Sequence, residues 1–267
     1  MIRMKKSMLT EFNVTINGID VHAVYTENNI REIFLPLLRR LTELHQRKGE
    51  RILAMLAAPP GAGKSTLLSF LEKLSEEHPD IESIQTIGMD GFHRRQEYLL
   101  SHTTVRDGNE IPMVNVKGSP ETFDLEKLKS GIKRVAEGEV CGWPVYDRHL
   151  HNPVEDTVKV TGDIVFLEGN YLLLDTDGWR DLSGYADHTV LIRSDESILK
   201  KRLIERRISS GHPAEEAEGF VEYSDMYNAR LCLEHSKPAD LTLFLNPDDS
   251  YSCSAIWGNM IEQRSIE

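Results

Sequence analysis

One short segment has the residue types and spacing of a phosphate-binding loop. The segment APPGAGKS, which begins at Ala58, matches the pattern G-x-x-x-x-G-K-[ST] except at that first position, where glycine is expected. Gly61 and Gly63 let the backbone approach an anion closely. Lys64 would reach the outer phosphates, and Ser65 could bind Mg²⁺. An alanine at a strand end costs little if its φ is negative. The predicted nucleotide-binding residues are Pro60, Gly61, Ala62, Gly63, Lys64, Ser65 and Thr66.

A second candidate is the carboxylate in the segment GMDGFHRR, where Asp90 follows a predicted strand. An aspartate at this place could accept a proton from a substrate hydroxyl that faces the outer phosphate, or it could hold a water on magnesium. Phosphoryl transfer requires mainly positioning and charge stabilisation, so one well-placed carboxylate is chemically sufficient. The alternative is that Asp90 only caps a helix. The sequence leaves the choice between base and metal-water ligand open.

The elements that would position these residues alternate along the chain. Five short apolar runs are separated by segments with apolar residues at helical spacing, which is typical of an α/β fold with a parallel sheet covered on both faces. The runs are RILAMLA, SIQTIGMD, DIVFLEGN, HTVLIR and LTLFLN. Ligands bind beyond the carboxyl ends of such strands. We therefore expect the phosphate loop, Asp90, Glu168 and Arg193 to lie at one edge of the sheet.

Residues 1–49 are predicted to form an appendage to the rest of the chain. Apolar and polar residues alternate on either side of Asn17-Gly18, which predicts a β-hairpin over residues 11–25. Apolar residues at helical spacing follow the hairpin, and the pattern ends at Gly49.

Composition restricts the function classes. A chain of 267 residues with 40% hydrophobic content most simply buries one large core. A net charge of −12 argues against a broad nucleic-acid surface, which needs clustered Lys and Arg. The three cysteines are far apart and form no C-x-x-C pair, which argues against disulfides and zinc. No signal-peptide core or membrane span is recognisable. We expect a cytoplasmic protein that binds neither nucleic acid nor membranes, and a homodimer is left open.

Five motifs together resemble one enzyme family. APPGAGKST, MDGFH, KGSPETFD, PVYDRHLHNP and LEGNYLLL occur in the order found in the phosphoribulokinase, uridine kinase and pantothenate kinase family, in its nucleoside or nucleotide kinase-like branch. The resemblance covers residues 50–267. It implies a P-loop NTPase three-layer sandwich with a parallel central sheet and a helical lid. It also implies a kinase that uses ATP and Mg²⁺ to phosphorylate a hydroxyl of a small metabolite, with Asp90 as the base.

The resemblance places the acceptor pocket in the segment GWPVYDRHLHNPVEDT, which is rich in turn formers and long enough to be a functional loop. Tyr146, Arg148 and His151 would line this pocket, with His149 as a neighbour. A phenol, a guanidinium and an imidazole can hydrogen-bond hydroxyls and also accept a carboxylate or phosphate. Two alternatives are a pair of metal ligands, His149 and His151, or a plain solvated loop.

Two further residues receive roles from the resemblance. Glu168 ends a buried apolar run and would lie near magnesium or the acceptor, so Ser65 and Glu168 are the predicted metal ligands. A lone buried carboxylate is costly unless a cation or hydrogen bonds compensate. The alternative is that Glu168 merely caps a turn. Asn228 lies three residues after Asp225 on one face of a predicted helix and would contact the acceptor.

The same resemblance implies a lid at about residues 202–220. Arg202 and Arg206 are four residues apart on a predicted helix, ahead of a break at residues 209–213. Arginines above the phosphates would exclude water and balance the charge of the transition state. The alternative is a solvated helix face on which Glu205 neutralises the charge. The predicted catalytic residues are Lys64, Asp90, Arg202 and Arg206.

Other function classes remain open at this point. A nucleotide-binding regulator or transport-associated ATPase would keep the phosphate loop but would not need Asp90 together with Tyr146 and His151. A kinase of nucleoside monophosphates would need additional basic residues, for which Arg94, Arg95 and Arg148 are available. Pantothenate, a nucleoside and a sugar are all compatible acceptors.

Overall fold

A computed structural model describes residues 9–16 and 19–254 of the protein. Its strands are β1 (Leu9–Ile16), β2 (Ile19–Thr26), β3 (Ile52–Ala57), β4 (Ile84–Gly88), β5 (Thr103–Arg106), β6 (Asn109–Pro112), β7 (Cys141–Asp147), β8 (Asn152–Val160), β9 (Ile164–Gly169), β10 (His188–Ser194), β11 (Leu241–Leu245) and β12 (Tyr251–Cys253). Its helices are α1 (Glu27–Asn29), α2 (Leu35–Lys48), α3 (Lys64–Glu77), α4 (Gln96–Ser101), α5 (Leu125–Ala136), α6 (Glu196–Ser209), α7 (Ala214–Phe220) and α8 (Met226–His235). Within the described ranges, no helix combines the length and apolarity needed to cross a lipid bilayer.

The central sheet has the strand order β12-β11-β10-β3-β9-β4. The five predicted apolar runs are β3, β4, β9, β10 and β11, and neighbouring pairs among them are parallel, as predicted. The edge strand β12 was not predicted and runs antiparallel to β11. Gly88 and Leu56 both pair with Glu168, so β4, β3 and β9 end at the same edge of the sheet.

Two helical layers cover the sheet, which gives the predicted three-layer α/β sandwich. All six residues of β3 are buried, and alternate side chains enter different cores because successive strand residues point to opposite faces. Ile52, Ala54 and Leu56 pack in the core that contains α2, α3 and α6. The other three residues pack in the core that contains α5.

The N-terminal segment contributes to the first of these cores. β1 and β2 form the predicted antiparallel hairpin, whose predicted turn at Asn17-Gly18 lies outside the described residues. Helix α2 ends at Gly49 in the left-handed conformation, as its sequence pattern predicts. The Tyr25 ring stacks on Phe70 of α3 with centroids 4.2 Å apart. The segment therefore completes one face of the sandwich, while a domain boundary at residue 49 stays a prediction.

The segment predicted to be a long functional loop is instead a β-hairpin. β7 and β8 pair antiparallel, with Tyr146 opposite Pro153 and a register shift between Trp143 and Val145. The shift spans Pro144, which has no N–H to donate to the ladder. The turn formers hid an alternating pattern in which Trp143 is buried, so the loop prediction was wrong except for the turn at residues 148–151.

Helices α6 and α7 occupy the segment for which the sequence predicts a lid. Helix α6 ends at Ser209, Gly211 adopts φ +94°, and α7 begins at Ala214, so the chain breaks where the sequence predicts. A π-helical turn, Val221–Asp225, then connects α7 to α8. This arrangement brings the end of α6 and the start of α8 to the same edge of the sheet as the phosphate loop.

We expect Asn29→Ala to lower the free energy of unfolding by about 2 kcal/mol or more. The buried Asn29 side chain donates to the Tyr251 carbonyl at 2.6 Å and accepts from the Tyr251 N–H at 2.9 Å, so its loss removes the partner of both backbone groups of Tyr251. Urea denaturation would measure the change. Asn115→Ala is the matched control, because Asn115 is exposed. Equal stability of the two variants would contradict a structural role for the N-terminal segment.

Candidate active site

The phosphate loop connects β3 to α3 and has the backbone that an anion cradle requires. Gly61 and Gly63 adopt φ +84° and +79°, where side chains are strained, and the Leu67 N–H donates to the Gly63 carbonyl at 3.0 Å. A Cβ on Gly61 would also lie 3.0 Å from Leu203 of α6. Ala58, at the position where the pattern has glycine, is fully buried and is not left-handed, so alanine fits there.

The first turn of α3 is bonded to the end of β9. Ser65 Oγ donates to Glu168 Oε1 at 2.6 Å, and Lys64 Nζ lies 3.9 Å from Glu168 Oε2. Burial raises the pKa of Glu168 above its ordinary value, and the nearby charge of Lys64 acts against this rise. The Glu168 carboxylate therefore contacts Ser65 and Lys64, the two phosphate-loop residues whose side chains are predicted to bind Mg²⁺ and the outer phosphates.

Ser65 and Glu168 offer a set of oxygen atoms that fits Mg²⁺, a cation that commonly takes only one or two protein ligands. A cation would also offset the cost of burying the Glu168 charge. In the described part of the chain, no group of three His, Cys, Asp or Glu side chains could hold a metal ion. The alternative of a metal held by His149 and His151 has no third ligand there.

Asp90 lies in a 3₁₀ turn, Met89–Phe92, that directly follows β4. Its side chain makes no helix-capping hydrogen bond, so it does not have the capping role considered as an alternative. The turn is held against β7, because Trp143 Nε1 donates to the Gly88 carbonyl at 2.8 Å. A Cβ on Gly91 would lie 2.0 Å from the Pro144 carbonyl oxygen, so only glycine allows this contact.

The two predicted arginines of α6 have different surroundings. Arg202 donates to the Gly61 carbonyl at 3.3 Å and forms an ion pair with Asp249, so it is anchored above the phosphate loop. Arg206 has no carboxylate within 4.0 Å among the described residues. Glu205 pairs with Lys201 and not with either arginine, which argues against the neutralised solvated face.

Two cavities meet at this site. The smaller, of about 270 Å³, lies along the phosphate loop, and the larger, of about 650 Å³, lies between the β7–β8 turn and the lid helices. Tyr146, His151 and Asn228, which the sequence predicts to contact the acceptor, line the larger cavity. The residues that line both cavities are Lys64, Asp90, Arg148 and Arg206.

The predicted acceptor residues differ in burial. Tyr146 is half-buried with its ring 5.2 Å from the His93 ring, and burial raises the pKa of its phenol. Asn228 is 2% exposed, whereas Arg148 and His151 are exposed at the cavity mouth. Glu168 does not line the larger cavity but a neighbouring one of about 240 Å³ beside Asp90. Asp90 and Tyr146 also line that cavity, so Glu168 shares a cavity with these two predicted acceptor residues but not with Arg148, His151 or Asn228.

Several cavity residues were not predicted. The larger cavity is also lined by Lys117, His93, Arg207 and Asn170, none of which is among the predicted site residues. Lys117 begins the segment KGSPETFD, whose last residue caps α5 by accepting from the Lys127 N–H at 3.2 Å. That local capping signal is readable in the sequence, but the direction of the Lys117 side chain depends on contacts with distant segments.

The end of the N-terminal hairpin also reaches the site, which sequence patterns did not indicate. Ile16 and Val21 line the smaller cavity together with Gly61 and Thr66 of the phosphate loop. The hairpin is therefore both a part of the core and one wall of the phosphate-loop cavity.

Comparisons with known proteins match this chain to one family. The model of the phosphoribulokinase / uridine kinase family matches residues 53–234. The chain is 38% identical over 242 residues to the uncharacterized protein YggC of Escherichia coli K12, covering 90% of this chain and 98% of that protein. It is 25% identical to a pantothenate kinase of Lactococcus lactis subsp. lactis, covering 67% and 61% of the two chains.

A solved structure is similar over most of the fold. The crystal structure of a "putative fructose transport system kinase" from Silicibacter sp. TM1040 superposes with a TM-score of 0.67 at 29% identity. The similarity covers 77% of this chain and 97% of that protein.

We expect Gly91→Ala to lower the free energy of unfolding by about 3 kcal/mol, because its methyl group would overlap the Pro144 carbonyl and force the Asp90 turn away from β7. Chemical denaturation would measure this loss. Gly219→Ala is the control, since a Cβ there meets nothing within 4 Å and alanine favours the helix. A stable Gly91→Ala variant would contradict the described packing of the turn.

Proposed function

Because the chain belongs to the phosphoribulokinase/uridine kinase family, we propose that it transfers the γ-phosphoryl group of ATP to a hydroxyl of a small metabolite. The phosphate loop binds the nucleotide, and the larger cavity binds the acceptor. A volume of about 650 Å³ is suited to a small molecule rather than a polymer.

One observation carries this proposal: the two cavities share a wall. Lys64 and Asp90 both line the phosphate-loop cavity and the larger cavity, so a phosphate in the first would face a hydroxyl in the second. Phosphoryl transfer depends mainly on such positioning, with the attacking and leaving oxygens roughly in line. A nucleotide switch would not need a second cavity that opens onto the outer phosphates.

In the proposed reaction, Asp90 accepts the proton of the acceptor hydroxyl, and the hydroxyl oxygen bonds to the γ-phosphorus. The bond between the γ-phosphorus and the bridging oxygen breaks, and ADP leaves with that electron pair. The Asp90 carboxylate makes no hydrogen bond to other described side chains, which leaves it available as an acceptor for the proton. The product is a phosphate monoester of the acceptor.

The cations stabilise the charge that moves in this step. Lys64 and Arg206 line the shared wall, where developing charge on the γ-phosphate oxygens would be found. Ser65 and Glu168 would hold Mg²⁺, which when bound neutralises charge on the β- and γ-phosphate oxygens. Arg202 fixes the loop through the Gly61 carbonyl and is close enough to approach the phosphates if its pair with Asp249 opens.

We expect Asp90→Asn to lower kcat by about 10² or more while the Kd for ATP stays within a few-fold, because a base acts on transfer and not on nucleotide binding. A coupled ADP-release assay over pantothenate, nucleosides and sugars would give kcat, and calorimetry with and without Mg²⁺ would give the Kd.

Asp177→Asn is the neutral control for Asp90, because the Asp177 side chain is fully exposed. Lys64→Ala should abolish transfer and serves as the inactive reference. Weaker Mg·ATP binding by Asp90→Asn would instead assign Asp90 to magnesium. Normal turnover by that variant, or ATP hydrolysis that no acceptor stimulates, would favour a nucleotide-binding regulator or ATPase.

We expect Arg206→Ala to reduce kcat by about tenfold or more with a smaller change in the KM for ATP, because its charge acts on the transition state. Arg202→Ala should also lower kcat more than it changes the KM for ATP. Lys201→Ala is the matched control, since it lies on the same helix with a side chain that is 75% exposed. Steady-state kinetics would separate kcat from KM. An Arg206→Ala effect no larger than that of Lys201→Ala would remove Arg206 from the mechanism.

A further inference from the structure

We infer that the acceptor is a polyhydroxylated anion whose carboxylate or phosphate binds at Lys117, an inference that rests on the proposed kinase function. The cavity has cations beyond those that the transferred phosphate needs, and it also has buried oxygen atoms without hydrogen-bond donors. The additional cations indicate an anionic group on the acceptor, and the buried oxygen atoms indicate its hydroxyl groups.

The cations fall into two groups by position. Arg148 and Arg206 line both cavities, so the transferred phosphate can account for them. Lys117 and Arg207 line the larger cavity but not the cavity along the phosphate loop. Arg207 stacks over the Phe220 ring at 3.7 Å, and its charge, like that of Arg206, acts against the rise that burial gives the pKa of nearby Asp225. For Lys117, in contrast, burial alone shifts the pKa, and no described carboxylate acts against that shift.

The Lys117 ammonium has an unused donor. Its Nζ donates to Gln96 Oε1 at 2.8 Å and to the His151 carbonyl at 3.2 Å, and it lies 4.9 Å from the centre of the Tyr146 ring. An ammonium has three N–H groups, so one remains. Among the described residues, no carboxylate lies within 4.0 Å of Lys117 Nζ. Burial lowers the pKa of Lys117, and a bound anion would reverse that cost.

The contacts of Lys117 orient that remaining donor. Gln96 begins α4 and His151 lies in the β7–β8 turn, and together they hold the side chain of Lys117 in place. A positioned donor loses little rotamer entropy when it binds, which favours a specific contact with an anion.

Hydroxyl groups of the acceptor would satisfy the second set of atoms. Asn170 Oδ1, Asn228 Oδ1 and Asp225 Oδ2 are buried, and none has a hydrogen-bond partner within the described chain. All three residues line the larger cavity. Buried acceptors without donors are costly, and ligand hydroxyls are the donors that suit a carbonyl or carboxylate oxygen. The acceptor therefore has several hydroxyl groups, of which the one at Asp90 is phosphorylated.

The net negative charge of the protein makes the cations of the larger cavity important for binding an anionic acceptor. With a net charge of −12, the protein repels anions at long range, so an anionic acceptor needs closely placed cations. A neutral nucleoside or sugar would leave the Lys117 ammonium half-buried and unpaired in the complex, at an energetic cost. The cavity therefore discriminates in favour of the charged member of a pair of similar acceptors.

Matched pairs of acceptors test the inference: pantothenate with pantothenyl alcohol, gluconate with glucose, and ribose 5-phosphate with ribose. ADP release would give kcat/KM, and calorimetry beside a non-hydrolysable ATP analogue would give the Kd. We expect at least one anion to exceed its neutral partner by tenfold or more in both. The first two pairs report a carboxylate and the third a phosphate. Preference for neutral members, or binding of none of the anions, would overturn the inference.

Turnover and binding measured together distinguish failure of the anionic-acceptor inference from failure of the kinase proposal. Turnover of neutral acceptors alone would overturn the anionic acceptor and leave the kinase intact. Tight binding of an anion without any turnover would support the anion site and contradict the kinase.

The Lys117→Met variant identifies the residue responsible. We expect the KM for the preferred anion to rise by tenfold or more, while the KM for ATP and the KM for the neutral partner change less than twofold. Lys133→Met is the control, because Lys133 lies on α5 with an exposed side chain paired to Glu137. Circular dichroism would confirm folding, and Lys117→Arg should restore part of the affinity. Equal losses for the charged and neutral acceptors would reduce Lys117 to a structural role and overturn its assignment.

Discussion

The buried carboxylate of Glu168 is the constraint on which the site depends. It lies at the end of β9, accepts a hydrogen bond from Ser65 at 2.6 Å and lies 3.9 Å from the Lys64 ammonium. A buried charge without such partners would destabilise the fold. The sheet therefore holds the phosphate loop through one side chain, and loop conformation, lysine position and the proposed metal site are coupled to the register of β3 and β9.

A second set of contacts connects the Asp90 turn to the acceptor cavity. Trp143 of β7 holds the end of β4 through the Gly88 carbonyl, and Tyr146 of the same strand lines the cavity. Because β7 packs directly on Gly91, a shift of the hairpin would move Asp90 and Tyr146 together. In the proposed kinase, the base and the acceptor pocket are thus positioned by one element.

Charge is distributed unevenly over this acidic protein. Most of the exposed Lys and Arg side chains in the described chain form ion pairs with carboxylates. Arg148, Arg206 and Lys117 instead line the cavity, and none of them has a described carboxylate within 4.0 Å. Concentrating unpaired cations in a cleft attracts phosphate there and not elsewhere on the surface. Helix α6 supplies part of this charge through Arg206, so the site is formed by segments that are distant in sequence.

Local pattern determined the phosphate loop, the five parallel strands, the Gly49 helix end and the lid break, because glycine conformation, strand burial and helix capping depend on neighbouring residues. Sequence order likewise placed Asp90 and Glu168 at strand ends. The β7–β8 hairpin was missed because turn formers masked its alternation, and β12 because three residues carry little pattern. Only the tertiary structure brought Lys117 to the cavity and the N-terminal hairpin to the phosphate loop, since those positions depend on long-range packing that no local spacing encodes.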